Sequence, residues 1–334
     1  MCGQVALRPE LLPDFEFPLS NVYEDIDTNA IEIAESIQYM STPAPDAARL
    51  LSAFQEQNAE SRMRRSDVAS ELISKSNESI SEVAQTETPI AEEGQELHGY
   101  LSKMENFENE HTEDRYLSDS EFPTLVSTFK RMDRVQKLVG HGNFNVLGFD
   151  EMLRFANFYE RVGSFQSDEI EFLEKIFSAN ATEYGFFGEK VIDRLTLAVP
   201  EKERVKVFGT GHFLFRGDPE KLYQKVKQDV GPNVVLTSGI RSVVKQTHLF
   251  LAKTIQSQGN LSRASRSLAP PGHSYHGVGD FDVGKVGFGR RNFTADFART
   301  PEFRRLVDLG YIDMRYPLHN LLGVRYEPWH IKVA

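Results

Sequence analysis

The residues best placed to do chemistry lie in two short segments near the end of the chain. One runs Pro270-Pro271-Gly272-His273-Ser274-Tyr275-His276-Gly277-Val278-Gly279-Asp280-Phe281-Asp282, and the other is Glu327-Pro328-Trp329-His330. A catalytic zinc needs protein ligands of the imidazole or carboxylate type plus one open position for water. A neighbouring carboxylate that is not a ligand can then take the water proton. A His and an Asp on a Gly-rich turn, with a Glu and a His further on, supply that inventory. The glycines permit a tight backbone path that brings His276 and Asp282 to one point. Glu327 and His330 pose a geometric demand. In an extended strand residues three apart face opposite sides, so a bend at Pro328 is needed to bring both to one metal. The same residues also read as a Gly-rich surface loop followed by a terminal strand.

The other histidines have plainer readings. His212 lies in Gly209-Thr210-Gly211-His212-Phe213 and reads as structural. His248 falls on a helix and reads as a packing group. His141 and His319 adjoin loop-forming residues, and His98 and His111 belong to an acidic stretch. Trp329, the single Trp, reads as core. Lys285, Arg290 and Arg291 read equally as a solvated face or as contacts for an acidic substrate.

Around these segments the pattern mixes strands and helices. Val205 to Phe215 reads as a strand broken by Gly209 and Gly211, and Asn233 to Thr237 as a short apolar strand. Val243 to Ile255 reads as a helix with Val244, Leu249, Leu251 and Ile255 available for burial. Thr300-Pro301-Glu302 is a helix start and Gly310 its stop. Met314 to Tyr316 and Tyr326 to Val333 read as further strands. This is an α+β pattern, a small antiparallel sheet with flanking helices, and lacks the regular alternation of a doubly wound fold. Before it, Phe122, Leu125, Val126 and Phe129 have helical spacing, as do Phe149, Met152, Leu153, Phe155, Ala156 and Phe158. Ser167 or Asp168 could cap a third helix carrying Ile170, Phe172, Leu173, Ile176 and Phe177.

Charge divides the chain further. Met1 to Arg115 holds 24 acidic and 8 basic residues, whereas Tyr116 to Ala334 holds 25 acidic and 30 basic. The first stretch is rich in Ser, Glu, Gln, Asn and Thr, a composition that does not offset the entropy of ordering. Short apolar stripes at 31–40, 50–54 and 68–73 suggest helical pieces or a partner-binding helix within it. Three sections are expected: an acidic flexible or partly helical arm over 1–115, a Phe-rich helical module over 116–204, and an α+β domain over 205–334. The only cysteine is Cys2, which excludes an intramolecular disulfide and a Cys-based metal site. No apolar run is long enough to span a membrane, and no nucleic-acid partner is expected. The first 25 residues show no basic start followed by an apolar stretch, so no secretory signal is visible.

Three motifs in the last section resemble those of VanY-type D-Ala-D-Ala carboxypeptidases and related zinc peptidases acting on peptidoglycan. The family pattern Ser-Gly-Tyr-Arg-Ser with a following Gln has its counterpart in Ser238-Gly239-Ile240-Arg241-Ser242 and Gln246. The pattern Pro-Gly-x-Ser-x-His-x-x-Gly matches Pro271 to Gly279, and Glu-Pro-Trp-His is intact at Glu327 to His330. The resemblance covers roughly 205–334 and implies a Zn2+ ion held by His276, His330 and an Asp. It implies Glu327 as the catalytic base, Arg241 as the holder of a substrate carboxylate, and Gln246 and Ser274 as supporting hydrogen-bond partners. The family Asp stands seven positions after the first His, where this chain has Val283. A turn shorter by one residue makes Asp282 the ligand, with Asp280 the second choice. Pairing His273 with Asp280 restores the spacing but takes Ser274 and Gly279 out of their family positions. The implied activity is hydrolysis of peptidoglycan stem peptides by a D-alanyl-D-alanine carboxypeptidase. An L,D-carboxypeptidase or an endopeptidase on the same polymer uses the same ligands, whereas a non-catalytic binder of wall fragments has no need for Glu327. A periplasmic or wall-associated location is implied, in tension with the missing signal.

Overall fold

The computed structural model describes residues 99–333. The apolar stripes expected at 31–40, 50–54 and 68–73, and His98, lie outside the described residues.

The helical section is built on phenylalanine faces. Helix α1 spans Phe122–Val139 with a Pro in its first turn, α2 spans His141–Phe144, α3 Phe149–Phe158 and α4 Ser167–Ser178. The cap of α4 is Gln166 instead of the expected Ser167 or Asp168. Gln166 and Glu169 form a reciprocal capping box, and the Glu169 carboxylate also binds Arg131 Nε at 2.7 Å.

The second section begins with a hairpin, β1 (Arg204–Lys206) and β2 (Phe213–Phe215), where the sequence suggested one broken strand. Gly209 and Gly211 both take positive φ in its turn. Helix α5 (Asp218–Val230) leads into β3 (Val234–Ser238), and α6 (Val243–Gln256) follows. The Ser242 hydroxyl accepts from Lys245 N and caps α6, which is buried on almost every side. Helix α7 (Leu261–Ser267), β4 (Phe281–Lys285), α8 (Pro301–Asp308) and β5 (His330–Ile331) complete the order. The Thr300 hydroxyl caps α8 by accepting from Phe303 N, and Gly310 follows with φ 73°.

Strands β3, β4 and β5 form one antiparallel sheet with β4 at its centre. The expected strand at Met314 to Tyr316 is absent. That stretch lies in a loop and makes one backbone contact of note, with Glu327 N donating to Tyr316 O. The last strand is also shorter than expected, because a turn occupies Pro328 and Trp329.

One apolar core runs across residue 204. Leu125, Phe129, Met132 and Phe144 of the helical section pack in the same cluster as Val244, Phe250, Leu251 and Ile255 of α6. A second cluster, including Leu236, Phe281, Val283, Trp329 and Ile331, lies under the sheet. Trp329 is core as expected.

The end of the acidic stretch, expected as part of a flexible or partly helical arm, begins with a helical turn at 99–105. Residues 99–115 are tied to the body through their acidic groups. Arg266 donates to both oxygens of Asp114, at 2.7 and 2.9 Å, and Lys253 Nζ donates to Glu108 Oε1 at 2.6 Å. Composition counted these acids as solvated, whereas buried cations of α6 and α7 take them up. Among the described residues no helix is long and apolar enough to cross a membrane.

Candidate metal centre

Asp282 occupies the middle of the three-stranded sheet. It pairs across β3 with Ser238 and across β5 with His330. Cross-strand neighbours on one face stand about 5 Å apart, so the sheet register itself places His330 beside Asp282. His330 Nδ1 lies 3.2 Å from Asp282 Oδ1. Trp329 O accepts from Val283 N, and His330 N donates to Glu327 O through the turn at Pro328 and Trp329. That turn is the bend the Glu-x-x-His spacing required. It puts Glu327 Oε2 3.8 Å from His330 Nδ1.

His276 reaches the same point from a short 3-10 turn, Tyr275–Gly277. Its Nε2 lies 3.2 Å from Asp282 Oδ1. The turn is fastened to the chain after β3 by two bonds. Gly239 O accepts from His276 Nδ1 at 2.8 Å, and His276 O accepts from Arg241 N at 3.3 Å. Gly239 is needed there because a Cβ would lie 2.0 Å from Phe213 O.

Among the described residues, His276, Asp282 and His330 are the group that could hold a metal ion, with one donor atom from each lying within 4.8 Å of the others. All three are buried. A carbonyl oxygen and a carboxylate can only accept, so Gly239 O fixes the proton of His276 on Nδ1 and Asp280 fixes that of His330 on Nε2. The remaining ring nitrogens, His276 Nε2 and His330 Nδ1, both lie 3.2 Å from Asp282 Oδ1. Neither His330 Nδ1 nor Asp282 Oδ1 has a hydrogen-bond partner. Buried polar atoms are normally paired, and orphans converging on one point are what a cation would satisfy. The donor set of two imidazoles and one carboxylate suits zinc.

The surrounding charges follow from this packing. Burial opposes ionisation of Asp282, but His276 and Arg241 outweigh it and hold the carboxyl well below the usual carboxylate range. Arg241 Nη2 donates to Asp282 Oδ2 at 2.6 Å and its Nε donates to Ser238 Oγ at 2.8 Å. Burial pushes Glu327 up to about 6, with His330 and Arg325 pulling the other way. Burial would lower His330, yet its bond to Asp280 and the nearby Asp282 carboxylate raise it to about 9. A metal must therefore displace a proton from it.

A cavity beside the group is lined by Arg241, Gln246, Ser274, His276, Glu327 and His330. The residues expected to serve the site are thus brought together. Gln246 Nε2 donates to Ala269 O, leaving its buried Oε1 without a partner. Arg241 adds a contact the motif did not announce, because part of its fork is already engaged by Asp282. Asp280, the second choice for the ligand, stands on the other side of the His330 ring, with Oδ2 2.9 Å from Nε2. Sequence reasoning also missed Arg315, whose Nε donates to Asp280 at 2.6 Å, and Arg325, buried against Trp329. The close spacing of Asp280 and Asp282 was the available signal.

The remaining histidines stand apart from the group. His273 Nδ1 bonds Gly188 O at 3.2 Å, and His248 packs between Phe129 and Phe144. His212 lies 3.3 Å from Asn145 Nδ2, and burial with the nearby cations Arg241 and Lys245 lowers it to about 4. Lys285 and Arg291 pair with Glu302 and Asp296.

Part of this chain is similar to known proteins. A solved vancomycin-resistance D,D-pentapeptidase, a VanY mutant from a VanB-type resistance cassette in complex with Zn(II), is 21% identical; the match covers 42% of this chain and 86% of that one, with a TM-score of 0.30. VanYB in complex with D-alanine-D-alanine is also 21% identical, covering 44% and 83%, with a TM-score of 0.33. No curated protein matches the chain. Residues 218–333, which hold His276, Asp282, Glu327 and His330, match the family model VanY, D-alanyl-D-alanine carboxypeptidase.

Proposed function

We propose that this protein is a zinc-dependent peptidase of the D-alanyl-D-alanine carboxypeptidase type, acting on peptidoglycan stem peptides. The observation that carries the reading is the convergence of His276 Nε2, His330 Nδ1 and the orphaned Asp282 Oδ1, with Glu327 beside them. His276, Asp282 and His330 are the ligands in this reading. Bound zinc supplies Lewis acidity toward a carbonyl and lowers the pKa of a bound water. Glu327, beside that group, would take a proton from an attacking water and pass it to the leaving amine. Its value of about 6 suits a base working near neutrality. Arg241, with its Nη2 steadied by Asp282, offers its remaining N–H groups to a substrate carboxylate. Gln246 Oε1 and Ser274 supply further polar contacts in the same cavity.

The test is zinc content together with D-Ala release from a pentapeptide ending in D-Ala-D-Ala, on wild type and on His330→Ala. About one zinc per chain and D-Ala release, both lost in the variant, are the expected results. Tetrapeptide and cross-linked substrates run in the same panel distinguish L,D-carboxypeptidase and endopeptidase action. Zinc binding without cleavage of any of them contradicts the enzyme reading and leaves a binder of wall fragments.

A further inference from the structure

Asp280 is buried, acidic and one imidazole ring away from the metal group, yet its position rules it out as a ligand. Both of its oxygens are taken. Oδ2 accepts from His330 Nε2 at 2.9 Å and from Arg315 Nε at 2.6 Å. Oδ1 accepts from Val333 N at 2.8 Å and from Arg315 Nη2 at 3.4 Å. It faces the nitrogen of His330 that points away from Asp282. Arg315 in turn lies over the ring of Tyr275, 3.3 Å from its centroid, and Tyr275 is the chain neighbour of His276. One chain of contacts therefore runs from His330 through Asp280 and Arg315 to the turn carrying His276.

We infer that Asp280 is the positioning residue of the metal centre: it holds His330 in the tautomer and ring orientation that present Nδ1 to the ion, with Arg315 keeping the carboxylate in place. The inference rests on the zinc reading above and adds to it which ring nitrogen binds and why. A ligating imidazole whose other nitrogen donates to a carboxylate is fixed in tautomer and made more basic, and loss of such a partner lowers metal affinity by about 10- to 100-fold. One carboxylate flanks each nitrogen of the same ring, Asp282 of β4 at Nδ1 and Asp280, just before that strand, at Nε2. The plainer role is to anchor Arg315 and Val333. That role predicts lower stability on removing the carboxylate, with no change in metal affinity.

Two measurements separate these roles. The first uses full-length wild type with 113Cd in place of zinc and 15N-labelled histidine. Cadmium coupling to Nδ1 of His330, with a proton on Nε2, is expected; coupling through Nε2 overturns the inference. The second titrates zinc against a competing chelator in wild type and Asp280→Asn, with the apo-protein melting temperature followed alongside. A fall in zinc affinity of about 10- to 100-fold supports the inference. Unchanged affinity with a lowered melting temperature overturns it in favour of the anchor. Failure of wild type to bind either metal overturns the zinc reading itself, so the two failures are distinguishable.

Discussion

Two clusters in this protein, one partly and one fully buried, set acidic groups against cationic or imidazole side chains and end in opposite states. In the first, Glu108 and Asp114 meet Lys253, Arg263 and Arg266, and Asn260 Nδ2 adds a donor to Asp114 at 2.8 Å. Arg266 completes its fork by donating to Phe107 O and Asn109 O. In the second, Asp282 meets His276, His330 and Arg241, and Asp282 Oδ1 and His330 Nδ1 stay unpaired. Both clusters carry the cost of burying charge. The first offsets it with internal hydrogen bonds and holds the chain in place. The second leaves donor atoms converging on a point, which is useful only if something arrives there. Burial of carboxylates alone does not mark a functional site; the unsatisfied remainder does.

The largest effects should fall on the second cluster. Glu327→Gln is expected to lower kcat by about 10²- to 10⁴-fold while zinc content stays near that of wild type, as checked by steady-state kinetics and metal analysis. Loss of zinc in this variant would mean that Glu327 is a ligand, and the contrast between base and ligands would fail.

Arg266→Ala breaks the first cluster and is expected to cost about 3–5 kcal/mol in denaturant unfolding, because Asp114 is left buried without its cation. Zinc bound per folded chain should not change. If it does, the two clusters are coupled and the comparison needs redrawing.

Acidity should separate them further. Glu327 acts as a base only when ionised, so kcat/KM should fall as pH drops through about 6. A bound dication favours the carboxylate, which puts the acid limb at or below that value. Zinc affinity should rise with pH toward about 9, where His330 loses its proton in the metal-free protein. A pH-independent affinity measured by chelator competition would mean that His330 does not bind the ion.

The smallest effect marks the baseline. Arg291 and Asp296 form a solvent-exposed pair at 3.1 Å, and Arg291→Ala should change stability by less than about 1 kcal/mol.

Much of this was legible in the sequence, for identifiable reasons. Helix α6 and the cap of α8 follow from local pattern, Ser242 and Thr300 being ordinary caps. The two chemistry-bearing segments were legible because glycine, histidine and acidic residues cluster there at motif spacing. The choice between Asp280 and Asp282 was not. It depends on sheet register, which pairs Asp282 with His330 and leaves Asp280 behind the ring. The tie between His276 and Gly239 O was equally hidden, since a backbone carbonyl has no sequence signature. The ties of Glu108 and Asp114 to Lys253 and Arg266 were not legible, because composition does not show which acids meet buried cations.

The most direct test of the central claim is a crystal structure of the zinc-loaded protein with anomalous data at the zinc edge. A single peak is predicted at about 2.0–2.2 Å from His276 Nε2, His330 Nδ1 and an oxygen of Asp282. A peak elsewhere, or none at zinc concentrations that saturate the protein's binding in solution, would contradict it.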